Sequence, residues 1–203
     1  MRVNRDVTCP SFSCTDVVHA CHSIPSVELD PSSVSILLIS EAAPPDPTDG
    51  YYAQGRPMFE ATTVAAFRDA GADVASIADI LELGCYMTPA LKCAKQGYGV
   101  SAATVRNCSG LLEQEMRQFP SVKAYLLMGD VAIKAFNAIA KRQGQGRIIP
   151  AGSTYRLRDA HYVFGEARVF PSYLQAGPSY FIEKSKRRMI AEDIAAALDI
   201  ANG

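Results

Sequence analysis

Short apolar runs alternate with amphipathic segments along most of the chain. The apolar runs are rich in β-branched residues and have the length of buried strands, whereas the longer segments repeat apolar residues at helical spacing. The pattern predicts strands at 34–40, 85–88 and 124–129, with two shorter ones around 154–157 and 161–170. It predicts helices at 60–70, 101–118, 130–140 and 178–200. Strands that alternate with helices indicate an α/β fold, in which helices cover both faces of a central, mostly parallel sheet.

Three residues mark the ends of these predicted helices. Ser101 has a side chain preferred at an N-cap, Gly71 can close the first helix, and Pro178 suits the first turn of the last one. The predicted boundaries therefore rest on local chemistry as well as on periodicity.

The composition is that of a globular protein. The chain has 203 residues, of which 48% are hydrophobic and 20% charged, with a net charge of -1. We expect one domain over 1–203 that begins with an irregular, cysteine-bearing segment at 1–33. The near-neutral charge argues against a histone-like binder of nucleic acid but allows a local basic patch. Without an apolar run of about 18 residues or a secretory leader, the sequence predicts a cytoplasmic monomer that does not enter a membrane.

The chain contains six cysteines, three of them before the first predicted strand. Structural disulfides are rare in the cytoplasm, so metal binding is the leading explanation for such a group. Cys85 lies inside a predicted strand, where a cysteine usually acts as a small buried hydrophobe.

The carboxyl ends of parallel strands are the usual place for a ligand site. In this chain the loops at those ends are 41–59, 88–93 and 171–179. Glu41 and Asp46 are the carboxylates closest to the end of the first strand, apart from Asp49. These loops are therefore where we expect the chemistry of the protein.

The same loops carry a series of short motifs. They are Ser-Glu-Ala-Ala-Pro-Pro at 40–45, Gly-Arg-Pro-Met-Phe-Glu at 55–60, Tyr-Met-Thr-Pro-Ala-Leu-Lys-Cys at 86–93, Leu-Met-Gly-Asp-Val-Ala at 127–132, Phe-Pro-Ser-Tyr-Leu at 170–174 and Gly-Pro-Ser-Tyr-Phe at 177–181. In order and spacing they resemble the uracil-DNA glycosylase superfamily, most like its iron–sulfur branch. The resemblance implies a three-layer α/β/α fold and a DNA base-excision repair enzyme that hydrolyses the N-glycosidic bond of uracil or another deaminated base.

Two positions depart from the family pattern. Pro89 replaces the asparagine that hydrogen-bonds the uracil edge, and the histidine of the family's His-Pro-Ser motif is replaced by Phe170 or Gly177. Proline offers neither a side-chain hydrogen bond nor a backbone donor. These departures favour an alternative, a non-catalytic DNA-binding relative with a structural iron–sulfur cluster.

Hydrolysis of the glycosidic bond needs a flipped base, stabilised charge on the departing base, and a water directed at the sugar. The resemblance assigns the carboxylate role to Glu41, with Asp46 as a second catalytic candidate; alternatively, Glu41 only accepts backbone hydrogen bonds. We expect the substrate to be bound by residues that the motifs bring to one cleft: Ala42, Tyr51, Tyr52, Phe59, Thr88, Ser172 and Ser179. The aromatic residues among them are equally consistent with core packing.

A basic run early in the last predicted helix is a candidate DNA-backbone contact. It consists of Lys184, Lys186, Arg187 and Arg188. The alternative is an ordinary solvated helix face.

The resemblance also implies a 4Fe-4S cluster bound by Cys9, Cys14, Cys93 and Cys108. The family has Cys-x-x-Cys as its first pair, which this chain lacks, and Cys21 is therefore a reserve ligand. Zinc, or reduced thiols without metal, are the alternatives. His22 adjoins Cys21, but a surface role is the simpler interpretation.

Overall fold

The computed structural model describes Val3 and residues 7–203. Of the predicted irregular segment 1–33, residues 1, 2 and 4–6 therefore lie outside the described residues. The strands are β1 Val17–Val18, β2 Ile36–Ala42, β3 Cys85–Leu91, β4 Ala94–Lys95, β5 Ala124–Met128, β6 Tyr162–Phe164 and β7 Ala167–Ser172. The helices are α1 Met58–Asp69, α2 Ile77–Glu82, α3 Ala102–Met116, α4 Asp130–Arg142, α5 Thr154–Leu157 and α6 Lys184–Asn202. Short 3-10 turns lie at His19–Cys21, Pro31–Ser33, Pro47–Asp49 and Pro178–Phe181.

Five strands form the central sheet, in the order β3-β2-β5-β7-β6. All neighbours are parallel except β6 and β7, which pair antiparallel. Along β2, Leu37 and Ile39 pack in one core and Ile36 and Leu38 in the other, so both faces of the sheet are covered. Helices α3 and α4 cover the first face, and α1, α2 and α6 the second. The predicted α/β fold with a mostly parallel sheet is confirmed.

Several predicted boundaries were wrong for local reasons. The segment 154–157 is a helical turn, whereas the single strand predicted at 161–170 is two strands, β6 and β7, which reverse at Gly165 with φ of +60° and extend to Ser172. Pro178 begins a 3-10 turn, and α6 starts only at Lys184. Ser101 does cap α3, since its hydroxyl accepts the backbone N–H of Thr104. The periodicity did not reveal α2, because it has only six residues.

The N-terminal segment is tied to the end of β3 through a two-residue ladder. Strand β1 pairs antiparallel with β4, which follows β3 after two residues. The carboxylate of Asp16 accepts the backbone N–H of Ser101 at 2.6 Å and the hydroxyl of Thr104, so it joins the segment to the first turn of α3. Within residues 7–33 the chain is otherwise largely irregular, as predicted.

A buried ion pair lies where β3 meets α3. Lys92 and Glu115 are both fully buried and in direct contact. The ammonium of Lys92 also donates to the Pro89 carbonyl at 2.6 Å, while the Tyr86 hydroxyl donates to Glu115 at 2.9 Å. Each charge is therefore hydrogen-bonded as well as paired, which is what burial of an ion requires.

In the absence of bound metal, we expect Glu115→Gln to lower the free energy of unfolding by about 3–5 kcal/mol, because it leaves the Lys92 ammonium buried without its counter-charge. For a chain of this size the melting temperature falls by on the order of 10 °C. Calorimetry on the metal-free protein measures it, with Lys134→Ala as the control, since the Lys134–Asp130 pair is exposed. Equal melting temperatures for the two variants contradict this assignment.

No helix of the described part of the chain is long and apolar enough to cross a membrane.

Candidate functional site

Glu41 lies near the carboxyl end of β2, at the edge of the sheet where ligands usually bind. One carboxylate oxygen is 2.7 Å from the ammonium of Lys95, and the other accepts the backbone N–H of Val131 at 3.4 Å. Val131 is in the first turn of α4, whose N-terminus carries partial positive charge. The side chain of Glu41 is 16% exposed, so a positively charged environment holds it while one side stays open to solvent.

Gly129 makes room for this carboxylate. It precedes α4 with φ of +106°, and a Cβ atom there would lie 2.6 Å from a carboxylate oxygen of Glu41. Both the backbone conformation and the contact require glycine. The Leu-Met-Gly-Asp motif therefore matters for the position of Glu41 as well as for the start of α4.

Two cavities open beside Glu41. One of about 290 Å³ is lined by Ser179, Tyr173 and Lys186, among others. The other, of about 260 Å³, is lined by Ala42, Phe59 and Lys95, among others. Glu41 and Leu174 belong to both cavities, so the carboxylate lies where the two meet. The predicted residues Ala42, Phe59 and Ser179 are thus brought together around Glu41.

Tyr51 and Tyr52 line a neighbouring cavity of about 190 Å³, which shares Phe59 with the second of these. Their hydroxyls are used inside the protein. Tyr52 donates to the Met87 carbonyl at 3.1 Å and accepts the Met87 N–H at 3.0 Å, which satisfies the free edge of β3. Tyr51 accepts from the Gln175 amide at 2.9 Å, and burial raises its pKa. The rings of the two tyrosines therefore line the cavity, while their hydroxyls are hydrogen-bonded within the protein.

Two of the predicted substrate-binding residues do not reach a cavity, so the prediction that they line the cleft was wrong. Thr88 is fully buried, and its hydroxyl accepts from Lys92 at 2.8 Å and donates to Glu115 at 3.0 Å. Ser172 is fully buried and donates to Asp193 on α6. Both hydroxyls join secondary-structure elements, because a buried polar group must have a hydrogen-bond partner.

Asp46 is likewise misplaced for catalysis. Its carboxylate caps the 3-10 turn that follows, where it accepts the backbone N–H of Thr48 at 2.9 Å and the Thr48 hydroxyl at 2.7 Å. These hydrogen bonds lower the pKa of Asp46. Asp46 lines neither of the cavities beside Glu41. It is a turn residue, so of the two predicted catalytic carboxylates only Glu41 lies at the cavities.

The basic run on α6 borders the first cavity, but much of its charge is neutralised within the protein. Arg187 forms a two-pronged ion pair with Asp69 on α1, and Lys186 pairs with Glu183. Arg188 lies 3.6 Å from Glu192, and Lys184 is exposed. Lys186 and Arg187 line the cavity itself. Contact with DNA by these four residues stays a prediction.

The four predicted cluster cysteines surround one cavity of about 250 Å³. Cys9 and Cys14 come from the N-terminal loop, Cys93 from the turn after β3, and Cys108 from α3. Burial, together with the neighbouring thiols, raises the pKa of the Cys93 thiol to about 12. The backbone N–H of Lys92 donates to the Cys108 sulfur at 3.1 Å. Four thiols from three separate segments thus meet around one volume.

Two histidines border the same cavity. His19 lies with Nδ1 3.6 Å from the Cys93 sulfur, and its Nε2 is 2.7 Å from the Cys14 carbonyl. The Nε2 atom of His22 is buried and has no hydrogen-bond partner among Val3 and residues 7–203, and burial lowers the pKa of this histidine. His22 as a whole is half-buried, so its ring borders the cavity while part of the residue stays at the surface. An unpaired polar atom beside four thiols is consistent with a site that holds a further group.

The other cysteines are placed elsewhere. The Cys21 thiol donates to the Pro45 carbonyl at 3.0 Å, and Cys85 is fully buried in β3, where burial raises its pKa. Within Val3 and residues 7–203, no three His, Cys, Asp or Glu side chains are arranged to hold a single metal ion. In number and placement, Cys9, Cys14, Cys93 and Cys108 fit a cluster bound by four thiolates.

Sequence reasoning missed Lys95 and Gly129. Lys95 reaches Glu41 because β4 pairs with β1, and a two-residue strand leaves no periodic signal. Gly129 was noted only as part of a motif, although a glycine between a strand and a helix often marks a close approach.

A scan of known protein families finds none that matches this chain, and a search of curated proteins finds no relative.

The Asp69–Arg187 pair predicts a pH-dependent stability. The hydrogen bond from Arg187 lowers the pKa of Asp69 below its unfolded value of about 3.9. The pair therefore stabilises the fold above that pH, and the contribution is lost as the pH falls through the folded pKa. We expect Asp69→Asn to be less stable than the parent protein at pH 6, with the difference closing below about pH 4.

Urea unfolding at a series of pH values measures this dependence. Asp73→Asn is the matched control, because Asp73 is exposed and has no ion pair with any described residue. A constant difference between Asp69→Asn and the parent protein across the range contradicts the prediction.

Proposed function

We propose that this protein is a DNA base-excision glycosylase that hydrolyses the N-glycosidic bond of uracil or another deaminated base. The observation that carries the proposal is the position of Glu41. Its carboxylate lies at the carboxyl edge of a parallel sheet, beside a helix N-terminus, where two cavities of about 290 and 260 Å³ meet. The motif resemblance supports the same assignment.

Glu41 has the hydrogen-bonding capacity to direct a water. Within the described part of the chain each of its oxygens has one partner, Lys95 or Val131, and a carboxylate oxygen accepts two hydrogen bonds. A water held by a free acceptor position would face a sugar in the adjoining cavity. The negative charge would also stabilise the oxocarbenium character that develops there, with Glu41 acting as general base or as electrostatic partner.

Lys95 offers a counterpart for the charge on the departing base. It lines the same cavity as Phe59, whose ring provides a surface on which a flipped base can stack. A fixed cation beside the leaving group stabilises the negative charge that develops as the bond breaks. In this proposal Lys95 stabilises the charge on the departing base in place of the histidine of the family pattern.

The second candidate function is a non-catalytic, DNA-binding relative with a structural cluster. Pro89 favours it, because this residue lines the tyrosine cavity and presents no donor to a base edge. The ion pair with Lys95 favours it too, since a neutralised carboxylate stabilises a cationic sugar less strongly.

A 4Fe-4S cluster held by Cys9, Cys14, Cys93 and Cys108 is part of both candidates. When bound, such a cluster would supply a covalent link between the N-terminal loop, the end of β3 and α3. Such a link would also bear on the position of Lys95, because the turn that carries Cys93 leads directly into β4 and Lys95. The protein is expected to act in the cytoplasm on DNA.

If the protein cleaves, Glu41→Gln should slow single-turnover release of the base by at least about 100-fold, the lower end for a positioned acid or base. The matched control is Asp46→Asn, whose carboxylate caps a turn outside both cavities. We expect the control to stay within a few-fold of the parent protein. Cleavage that survives Glu41→Gln, or that fails equally in both variants, overturns the assignment of Glu41.

Discrimination between bases should be weak, because Pro89 cannot pair with a base edge as an amide can. Single-turnover rates on uracil-, hypoxanthine- and xanthine-containing strands test this. A strong preference for uracil alone contradicts the prediction.

Cys93→Ser should abolish the visible absorption of anaerobically purified protein and lower bound iron and sulfide, since serine removes a thiolate ligand. Cys21→Ser is the control, because the Cys21 thiol binds the Pro45 carbonyl and does not line the cysteine cavity. Full iron content in Cys93→Ser, or its loss in Cys21→Ser, contradicts the ligand set. One zinc in place of iron would identify the alternative metal.

A further inference from the structure

A wide groove lies on the outer surface of α3 and α4. Its volume is about 700 Å³. Helices α3 and α4 form two sides of the groove, and the segment 146–152 forms the third. Small residues widen the groove: Ala102, Ala138, Gly146, Ala151 and Gly152 line it.

The charge of this groove is strongly positive. Four cations and one carboxylate line it, a net charge of +3 in a chain whose total is -1: Arg106, Lys134, Lys141, Arg147 and Asp130. All five are exposed. Asp130 pairs with Lys134, whereas the other three cations have no acidic partner among Val3 and residues 7–203. Unlike the basic run on α6, this charge is not neutralised within the protein.

The wall of the groove is held in place by Asn137. Its side-chain oxygen accepts the backbone N–H groups of Ile148 and Ile149, both at 3.0 Å, and its amide donates to the Ile149 carbonyl at 2.9 Å. Three hydrogen bonds from one side chain of α4 fix the segment that carries Arg147. The cations therefore border a defined channel.

The spacing of the cations fits a chain of phosphates better than a single anion. Lys134 and Lys141 are seven residues apart on α4, which corresponds to about 10 Å along the helix axis. Along one strand of B-DNA that distance spans about three nucleotides at roughly 3.4 Å each.

The groove adjoins the first Glu41 cavity at one residue. Asp130, at the N-terminus of α4, lines both the groove and the first Glu41 cavity. A strand that lies along α4 would therefore lead toward Glu41.

We propose that this groove binds the sugar–phosphate backbone of a DNA strand and guides it to the Glu41 site. The inference rests on the proposed function for its direction, but binding itself does not require cleavage. Arg106, Lys141 and Arg147 make the main phosphate contacts, and Asp130 limits the affinity at the end next to Glu41.

The test is fluorescence anisotropy with an undamaged, labelled single-stranded 20-mer and its duplex over a series of salt concentrations. For the variant Arg106→Ala/Lys141→Ala/Arg147→Ala we expect at least about a tenfold weaker affinity at low salt. The slope of log K against log salt should fall by about two for the single strand, because each lost phosphate contact removes about 0.7. An affinity and slope equal to those of the parent protein overturn the proposal.

Two further variants make the comparison specific. Lys141→Ala is matched with Arg68→Ala, which removes one exposed charge from α1 on the opposite face of the sheet. Only the former should lower the slope, and equal effects would mean that net charge alone determines binding. Asp130→Asn should tighten binding, because it removes the one carboxylate of the groove; weaker binding by this variant counts against the proposal.

Three outcomes separate this proposal from the proposed function. Loss of binding in the triple variant, together with no base excision by the parent protein, supports the groove and contradicts catalysis. Excision with unchanged DNA binding in the triple variant contradicts the groove alone. The groove assignment is overturned if the parent protein binds no DNA or binds RNA of the same sequence more tightly. It is also overturned if inorganic phosphate, at a concentration equal to that of the DNA, displaces the DNA.

Discussion

The pairing of two residues of β1 with two residues of β4 determines the positions of both candidate sites. Strand β4 begins directly after Cys93 and ends at Lys95, which contacts Glu41 at 2.7 Å. Strand β1 follows the loop that carries Cys9 and Cys14. A short ladder of this kind is weak by itself. It is supported by Asp16, which hydrogen-bonds the first turn of α3, and by the buried Lys92 on the adjoining turn. A group bound by the four cysteines would hold the loop before β1 against the turn before β4, so it would also affect the position of Lys95 beside Glu41.

The environment of Glu41 is where this chain differs most from the uracil-DNA glycosylase pattern on which the proposed function draws. The family reads and stabilises the base with an amide and an imidazole, and both are missing here. The structure instead places an ammonium group, a helix N-terminus and an aromatic ring around one carboxylate. Such a site can stabilise charge of either sign but has few groups that read a base edge. Breadth of substrate is therefore the natural consequence if the protein cleaves, and loss of catalysis is the natural consequence if Lys95 neutralises Glu41 too strongly.

The sequence predicted the layers of the fold well, because β2, β3 and β5 are apolar on both faces and the helices α1 and α3 between them are long enough to show helical periodicity. It was wrong where an element is short or a polar side chain is buried. Thr88 and Ser172 were expected in a cleft, since sequence spacing does not show which hydroxyls satisfy a neighbouring charge in the core. Asp46 was counted as a catalytic candidate because it follows the first strand closely, although an aspartate before Pro-Thr is typical of a turn cap. Lys95 was missed because its position depends on a ladder between segments about 75 residues apart.

The most direct test of the account is release of free base from DNA by the metal-loaded protein. Strands containing uracil, hypoxanthine or xanthine are incubated with an excess of protein, and the products are identified by mass spectrometry. The account predicts free base and an abasic strand from at least one of the three substrates. If every strand stays intact, although the protein carries iron and sulfide and binds the DNA, the glycosylase proposal is contradicted and the non-catalytic alternative takes its place.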